Sequence, residues 1–169
     1  MDSVPSVAVA PAPAQAGCRA ADRIPAPGAI GDARRATVCL LNRRRARRGL
    51  ARLRGDALLR RAAKRHSLDM VRRDYFDHVS PGGSTLTDRL LGAGFGLRAR
   101  ASWVAGENLA WGMGSSATPR AIVRMWMNSP PHRRNVLGPR FRRVGIGIAL
   151  GAPQPVAGRA ATYTAVFGG

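Results

Sequence analysis

The sequence predicts an α+β fold in which three or four helices enclose a small antiparallel sheet. In the first half of the chain, apolar residues recur at steps of three and four, which indicates amphipathic helices. Near the C-terminus, two apolar segments separated by about eight residues indicate a β-hairpin. With 169 residues, the chain is long enough for one domain with a sizeable core.

The N-terminal segment differs in composition from the rest. Residues 1–28 are rich in proline and alanine, which predicts a leader and linker without packed structure before a domain over residues 29–169. The residues up to Ala16 resemble the tail of a secretory signal, but a basic start and a solid apolar stretch are missing. The segment is therefore either a truncated signal peptide or an ordinary disordered leader. We expect an extracytoplasmic protein, secreted or held at the cell envelope.

Cys18 and Cys39 are the two cysteines of the chain, and their spacing differs from that of a C-x-x-C metal or redox pair. In an exported protein they could form a disulfide that closes a loop of about 20 residues. The alternative is two separate small buried residues.

The net charge of +19 comes from 28 basic and 9 acidic residues. Such a balance favours an anionic polymer or an envelope surface as partner. The arginines are spread along the chain without interleaved aromatic residues, and no specific nucleic-acid motif accompanies them. A solvated basic surface is the alternative. No run of about 18 apolar residues is present, so we expect no membrane span.

Two helices are expected at the start of the domain. The first covers Ile30 to Arg48 and ends at Gly49 as a C-cap, and residues 50–54 form a connection or a short edge strand. Asp56 is placed to cap the second helix. One face of that helix carries Leu59, Ala63, His66 and Met70. A lone histidine on an apolar face is usually hydrogen-bonded within the core, which we expect for His66.

The middle of the chain predicts a short third helix over Ser84 to Leu91, followed by a strand over residues 101–107. Residues 108–116 are expected to be broken by glycines. Thr118 and Pro119 begin another helix as N-cap and first residue, and its Trp126 is expected in the core. The last two segments, residues 144–150 and 160–167, form the hairpin, with glycines that allow close backbone approach.

Three stretches are expected to meet in one cleft. Ser129-Pro130-Pro131 breaks the helix of Trp126 and holds His132 in place just beyond it. The loop from Phe76 to Gly83 carries His78 and Ser80, and Gly106-Glu107-Asn108 carries the one glutamate of the chain. Two imidazoles and one carboxylate would then converge.

Such a set suits zinc or another divalent metal with an open coordination position. The ligands are scattered, however, and no H-E-x-x-H spacing occurs. The alternative is that His78, Glu107 and His132 make structural hydrogen bonds. Nucleophilic catalysis is disfavoured because no G-x-S-x-G motif is present, and Ser80 has no assignable third group.

Short motifs occur in order along about residues 33 to 169. They are Leu41-Asn42 with Arg45, Gly49-Leu50, Ala62 to Met70, Phe76 to Gly82, Arg89, Gly92 to Phe95, Gly106 to Asn108, Trp126, Ser129, His132 to Asn135, Val144 to Gly147 and Tyr163 to Gly168. This series resembles the CAP superfamily of cysteine-rich secretory proteins, antigen 5 and plant pathogenesis-related class 1 proteins, in its short bacterial form. The resemblance implies a three-layer α-β-α sandwich with a small, mainly antiparallel sheet.

The resemblance also implies a cleft that holds His78, Glu107 and His132, with Asn135 where larger members often have glutamine. Ser80 and Asn108 are the other candidate contacts to a ligand. The second acidic residue of the family would fall at Ser129 or Pro130, so the usual four residues become three.

The functions implied by the family are diverse. We expect a monomeric binding module rather than an enzyme, with a cleft for a divalent metal, a small amphiphile or lipid, or a peptide. One alternative is a metal-assisted hydrolase in which Glu107 is the general base. The other is a basic surface that binds polyanions.

Overall fold

The computed structural model describes residues 17–96 and 102–169. Most of the predicted leader and Ala101, the predicted first residue of a strand, lie outside the described residues. The elements are α1 (Ile30–Ala46), β1 (Arg54–Gly55), α2 (Ala57–Arg72), α3 (Leu86–Gly92), β2 (Ala105–Met113), a 3-10 turn (Gly114–Ala117), α4 (Pro119–Asn128), α5 (Pro130–Val136), β3 (Arg143–Leu150) and β4 (Ala160–Gly168).

The four strands form one sheet in the order β1-β3-β4-β2. β3 and β4 form the predicted antiparallel hairpin, and β2 pairs antiparallel with the other side of β4. β1 contributes a two-residue parallel pairing with the start of β3. The prediction of a small, mainly antiparallel sheet is therefore confirmed, with the short edge strand at the end of the expected connection.

Helices cover both faces of the sheet, which confirms the three-layer α-β-α architecture. On one face, α1, α4 and α5 share a core with Trp126, Val144, Ile146, Tyr163 and Phe167. On the other face, α2 and α3 pack against the sheet through a second cluster. The expected core position of Trp126 is confirmed, since it is fully buried and donates its indole N–H to the Leu109 carbonyl at 3.0 Å.

Glycines on β3 let α2 lie directly on the sheet. A Cβ added to Gly145 would lie 2.1 Å from the carbonyl carbon of Leu59, and one added to Gly147 would lie 2.2 Å from that of Ala63. Val144, Ile146 and Ile148 point to the α1 face instead. The expected close approach is thus confirmed, and it fixes the height of α2 above the sheet.

The predicted helix starts are also confirmed. The Asp56 carboxylate accepts hydrogen bonds from the Leu58 and Leu59 amides, and Thr118 caps α4 before Pro119. Each contact lies within a few residues of the cap, which is why the sequence pattern suffices to locate it. Gly49 follows α1 with φ of 64°, the left-handed conformation expected of a C-cap glycine.

One local prediction was wrong. Residues 108–116 were expected to be broken, but β2 continues to Met113 because all nine of its residues pair with β4. Gly112 lets the following 3-10 turn lie close to the strand, since a Cβ there would lie 2.3 Å from the Ser116 carbonyl oxygen.

The predicted break after the helix of Trp126 is confirmed. α4 ends at Asn128 with Ser129 as its C-cap, and His132 lies beyond it. Pro130 and Pro131 begin a further short helix, α5, so His132 lies in the first turn of that helix.

The segment before α1 also departs from the prediction of an unpacked linker over its described part. Ala21 is buried, its carbonyl accepts from the Arg120 amide, and Asp22 forms a two-bond ion pair with Arg120 of α4. Cys18 and Cys39 form the expected disulfide, which ties this segment to α1. The domain boundary at residues 28 and 29 stays a prediction, but the packed structure extends upstream of it.

Arg45 fixes the position of α5 relative to α1. Its fully buried guanidinium donates to the carbonyl oxygens of Ala51, Val136, Gly138 and Phe141 at 2.8 to 3.1 Å. Replacing Arg45 would leave four carbonyl oxygens without their donor. Arg45 therefore holds the end of α5, the helix that carries His132, in place. Within the described residues, no helix has both the length and the apolar character needed to cross a membrane.

Candidate functional site

Glu107 is the centre of a cluster of charged side chains at the β2 edge of the sheet. Its side chain is 3% exposed. Arg89 Nη2 donates to both carboxylate oxygens, at 2.9 and 3.0 Å, and His78 Nδ1 donates to Oε1 at 2.9 Å. A buried carboxylate requires such partners, because an uncompensated charge away from water is costly. We call Glu107, Arg89, His66, His78 and His132 the Glu107 site.

His78 links the buried carboxylate to the surface. It lies in the loop between α2 and α3, and its side chain is 54% exposed. The hydrogen bond to Glu107 raises the pKa of His78, because the carboxylate stabilises the imidazolium. Since Nδ1–H donates to Glu107, Nε2 is the ring nitrogen left for an outside partner.

Two apolar side chains of the same loop lie beside His78 in sequence and are exposed. Phe76 and Val79 are each 45% exposed. The loop therefore exposes apolar surface close in sequence to the ionisable ring of His78.

His66 lies on the inner side of the carboxylate. It is buried, as the sequence predicted, and its Nε2 is 2.9 Å from the Asp77 carbonyl oxygen, so that nitrogen carries a proton. The same nitrogen is 3.9 Å from Glu107 Oε1. Burial lowers the pKa of His66, which favours the neutral ring. One carboxylate is therefore flanked by two histidines whose pKa values move in opposite directions.

His132 adjoins the cluster through a pair of asparagines. Asn108 Nδ2 donates to the His132 carbonyl at 2.9 Å, and Asn135 Nδ2 donates to Asn108 Oδ1 at 2.8 Å and to the Glu107 carbonyl at 3.1 Å. These bonds attach the first turn of α5 to β2. Burial, and then the charge of His78, lower the pKa of His132. Asn108 and Asn135 thus position His132, whereas the sequence suggested that they contact a ligand.

Ser80 stabilises the loop that carries His78. Its Oγ accepts a hydrogen bond from the Ser84 amide at 3.1 Å, and its backbone pairs with Ser84 and Gly83. Because this buried hydroxyl closes the turn before α3, it is a structural group in the geometry observed.

Arg89 is the main residue of the site that motif spacing did not single out. Besides Glu107, it donates to the carbonyls of His78 and Ser84 at 3.0 and 2.9 Å, so it holds the loop and the carboxylate together. Its Nε is buried without a partner among the described residues. The sequence indicated Arg89 only as one of the motifs that resemble the family, and no pattern in it assigned Arg89 to Glu107.

The three-residue metal set does not fit this geometry. Both Glu107 oxygens accept from Arg89, so the carboxylate orients His78 and is not free to bind a cation. In residues 17–96 and 102–169, no group of three His, Cys, Asp or Glu side chains could hold one metal ion. The zinc site stays a prediction, with two imidazoles as its remaining donors. The same contacts give no support to Glu107 as a general base, since its oxygens already accept hydrogen bonds.

Comparison with known proteins now adds to the geometry. The sequence profile described as CAP, the cysteine-rich secretory protein family, matches residues 38–166. The chain belongs to this family. It is 36% identical over 122 residues to the uncharacterized protein YkwD of Bacillus subtilis and 34% identical over 109 residues to the uncharacterized membrane protein YlbC of the same organism.

A solved structure supports the same conclusion. The crystal structure of an extracellular protein containing a SCP domain, from Bacillus anthracis, superposes with a TM-score of 0.65 at 31% identity, over 81% of this chain and 40% of that one. The alignment with YkwD covers 72% of this chain, and the alignment with YlbC covers 64% of it. It spans 44% of YkwD and 29% of YlbC, so each relative carries sequence that has no counterpart here.

Proposed function

We propose that this chain is an extracytoplasmic binding module that recognises the acidic end of a small amphiphilic ligand at His78. The observation that carries the proposal is the orientation of His78: Glu107 holds Nδ1, while the side chain is 54% exposed on a loop that also exposes Phe76 and Val79. A carboxylate attached to an apolar group would pair with Nε2–H and contact the two apolar side chains.

The charge of the site supports an acidic ligand. Arg89 and protonated His78 supply two positive charges against the one negative charge of Glu107. Because Glu107 raises the pKa of His78, the imidazolium persists to higher pH than in an isolated histidine. A charge-assisted hydrogen bond from this ring to a carboxylate would contribute about 1.5–3 kcal/mol.

An extracytoplasmic location is part of the proposal. The Cys18–Cys39 disulfide supports it, because such bonds persist in oxidising compartments. The description of the Bacillus anthracis structure as an extracellular protein supports it as well. Detection of the protein with its disulfide intact in an envelope or culture fraction is the expected result, and a wholly reduced cytoplasmic protein would contradict it.

The binding experiment compares acids with their uncharged derivatives. Decanoate and a short apolar peptide with a free C-terminus would be titrated by calorimetry against methyl decanoate and the amidated peptide. We expect the acids to bind at least about tenfold more tightly, in line with one charge-assisted hydrogen bond. His78→Ala should remove this preference, whereas Arg47→Gln, which removes a positive charge from an exposed position after α1, should keep it.

Two results would overturn the proposal. Equal affinity for acids and uncharged derivatives would remove the role of His78 in recognising charge. Absence of binding to every probe would remove the amphiphile class altogether. If one acid binds and the other does not, the source of the carboxylate, lipid or peptide, is identified at the same time.

A further inference from the structure

A second site candidate lies at the other edge of the sheet, away from Glu107. A cavity of about 520 Å³ opens between α1, the start of α2 and the β1–β3 pairing. Glu107 is on β2, and the strand order β1-β3-β4-β2 puts β3 and β4 between the two places. The volume lies within the range of small-molecule sites.

Four arginines and a single acidic residue line this cavity: Arg34, Arg35, Arg52, Arg60 and Asp56. We call the cavity the arginine pocket. Asp56 is already engaged, since its Oδ1 caps α2 and its Oδ2 is 3.5 Å from Arg143. Arg35 is paired with Asp32. The pocket therefore holds more positive charge than its own carboxylate can balance.

The other three arginines have no such partner. Within the described residues, the guanidinium groups of Arg34, Arg52 and Arg60 form no hydrogen bond or ion pair, although the pocket brings them together. Burial, and then the charges of Arg60 and Arg35, lower the pKa of Arg34. The positive charges of these arginines therefore repel one another, and a bound anion would offset that repulsion.

The pocket is also lined by apolar residues. Val38 is half-buried, whereas Val144 and Ile146 are almost fully buried. A smaller hollow of about 240 Å³ adjoins it, shares Arg34 and Ile146, and adds Lys64 of α2. The combined groove therefore offers cations together with a small apolar surface at Val38, which a bare inorganic ion would leave uncovered.

We propose that the arginine pocket binds a phosphate ester, with the phosphate held by Arg34, Arg52 and Arg60 and the organic group against Val38. Guanidinium groups suit phosphate because their planar N–H donors form paired bonds to its oxygens. The amides at the start of α2 contribute little, since Asp56 already caps them. This proposal is independent of the ligand at His78.

The experiment titrates the full chain with phenyl phosphate and with inorganic phosphate at about 0.15 M ionic strength, followed by calorimetry or amide chemical shifts. The test variant is Arg34→Gln/Arg60→Gln. The control is Arg47→Gln/Arg48→Gln, which removes the same charge from exposed positions. These positions lie about 20 Å from Arg34 along the direction of α1. At that distance, screening at physiological salt leaves little direct interaction. Thermal unfolding of each variant verifies that it folds.

We expect phenyl phosphate to bind more tightly than inorganic phosphate, the test variant to weaken binding by at least about tenfold, and the control to stay within about twofold. An equal loss in both variants would show diffuse attraction by a basic protein and overturn the pocket, as would absence of phenyl phosphate binding. His78→Ala should not change this affinity.

A last arm identifies the source of the phosphate. Vesicles with and without phosphatidic acid would be tested as competitors of phenyl phosphate. Competition by the phosphatidic acid vesicles alone supports the pocket and assigns a lipid headgroup. Continued binding of phenyl phosphate in their presence supports the pocket and assigns a soluble phosphate ester.

Discussion

The two edges of the sheet use arginine in different ways. At the β2 edge, Arg89 donates to a buried carboxylate and two carbonyls, so its guanidinium is fully engaged in stabilising the Glu107 site. At the β1–β3 edge, Arg34 and Arg60 lie beside one another without a carboxylate of their own. The difference indicates that partnered arginines build the fold, whereas unpartnered arginines are the ones available for a ligand.

The largest effect is expected from removing the partnered arginine. Arg89→Ala should destabilise the protein by about 3–5 kcal/mol, because Glu107 would stay buried without its cation. Arg60→Ala should change stability by no more than about 0.5 kcal/mol, since it leaves no group unpaired. Chemical denaturation of both variants measures the difference. Similar losses in the two would show that the edges do not differ in the way described.

A second prediction tests whether the edges are independent. Cys39 lines the arginine pocket and is joined to Cys18. Replacing both with serine should cost about 3 kcal/mol through the loss of a loop closure over about 20 residues. The NMR titration of His78 should stay unchanged, because the pocket that Cys39 lines lies at the opposite edge of the sheet from Glu107. A shifted His78 titration would reveal coupling between the edges.

The third prediction concerns pH at the Glu107 site. Glu107→Gln should move the NMR titration midpoint of His78 downward, since the hydrogen bond that raises its pKa loses its charge. The pKa of His78 is higher in the folded protein than in the unfolded one. The His78–Glu107 pair therefore stabilises the fold fully below about pH 6.5, and this contribution is lost as the pH rises through the raised pKa of His78. The stability difference between wild type and variant should therefore shrink with rising pH.

Asp77→Asn is the matched control for that titration. Asp77 also raises the pKa of His78 by its charge, but its Oδ1 accepts from the Val79 amide and not from the ring. We expect a smaller downward shift than for Glu107→Gln. Equal shifts would mean that charge alone, and not the hydrogen bond, controls His78.

The smallest effect is expected for zinc. Because Arg89 covers the Glu107 carboxylate, wild type and His78→Ala/His132→Ala should release nearly the same heat on zinc titration. A saturable heat that only the wild type shows would instead support the metal site predicted from the sequence. It would also require Arg89 to release the carboxylate or the two imidazoles to bind without it.

Part of the site was predictable and part was not. His78 and Glu107 were expected to meet, and they do so across 29 residues of sequence. His66 was expected only as a core residue, yet it also lies near Glu107. Its helical position indicates burial but cannot identify which side chain of a distant strand lies opposite it. Similarly, Pro130 and Pro131 indicated a break, but that pattern did not show that a short helix begins there.

By itself, the sequence determined the helix starts at Asp56 and Thr118, the β3–β4 hairpin and the close backbone approach at the glycines of β3, and its ordered motifs indicated the family. The structural features among these follow from short-range hydrogen bonds, backbone preferences and the absence of a side chain, so they can be identified in a few neighbouring residues. The tertiary structure alone decided which of many arginines has a partner. That choice depends on where burial and packing place a guanidinium relative to the nearest oxygen, and no local pattern encodes it.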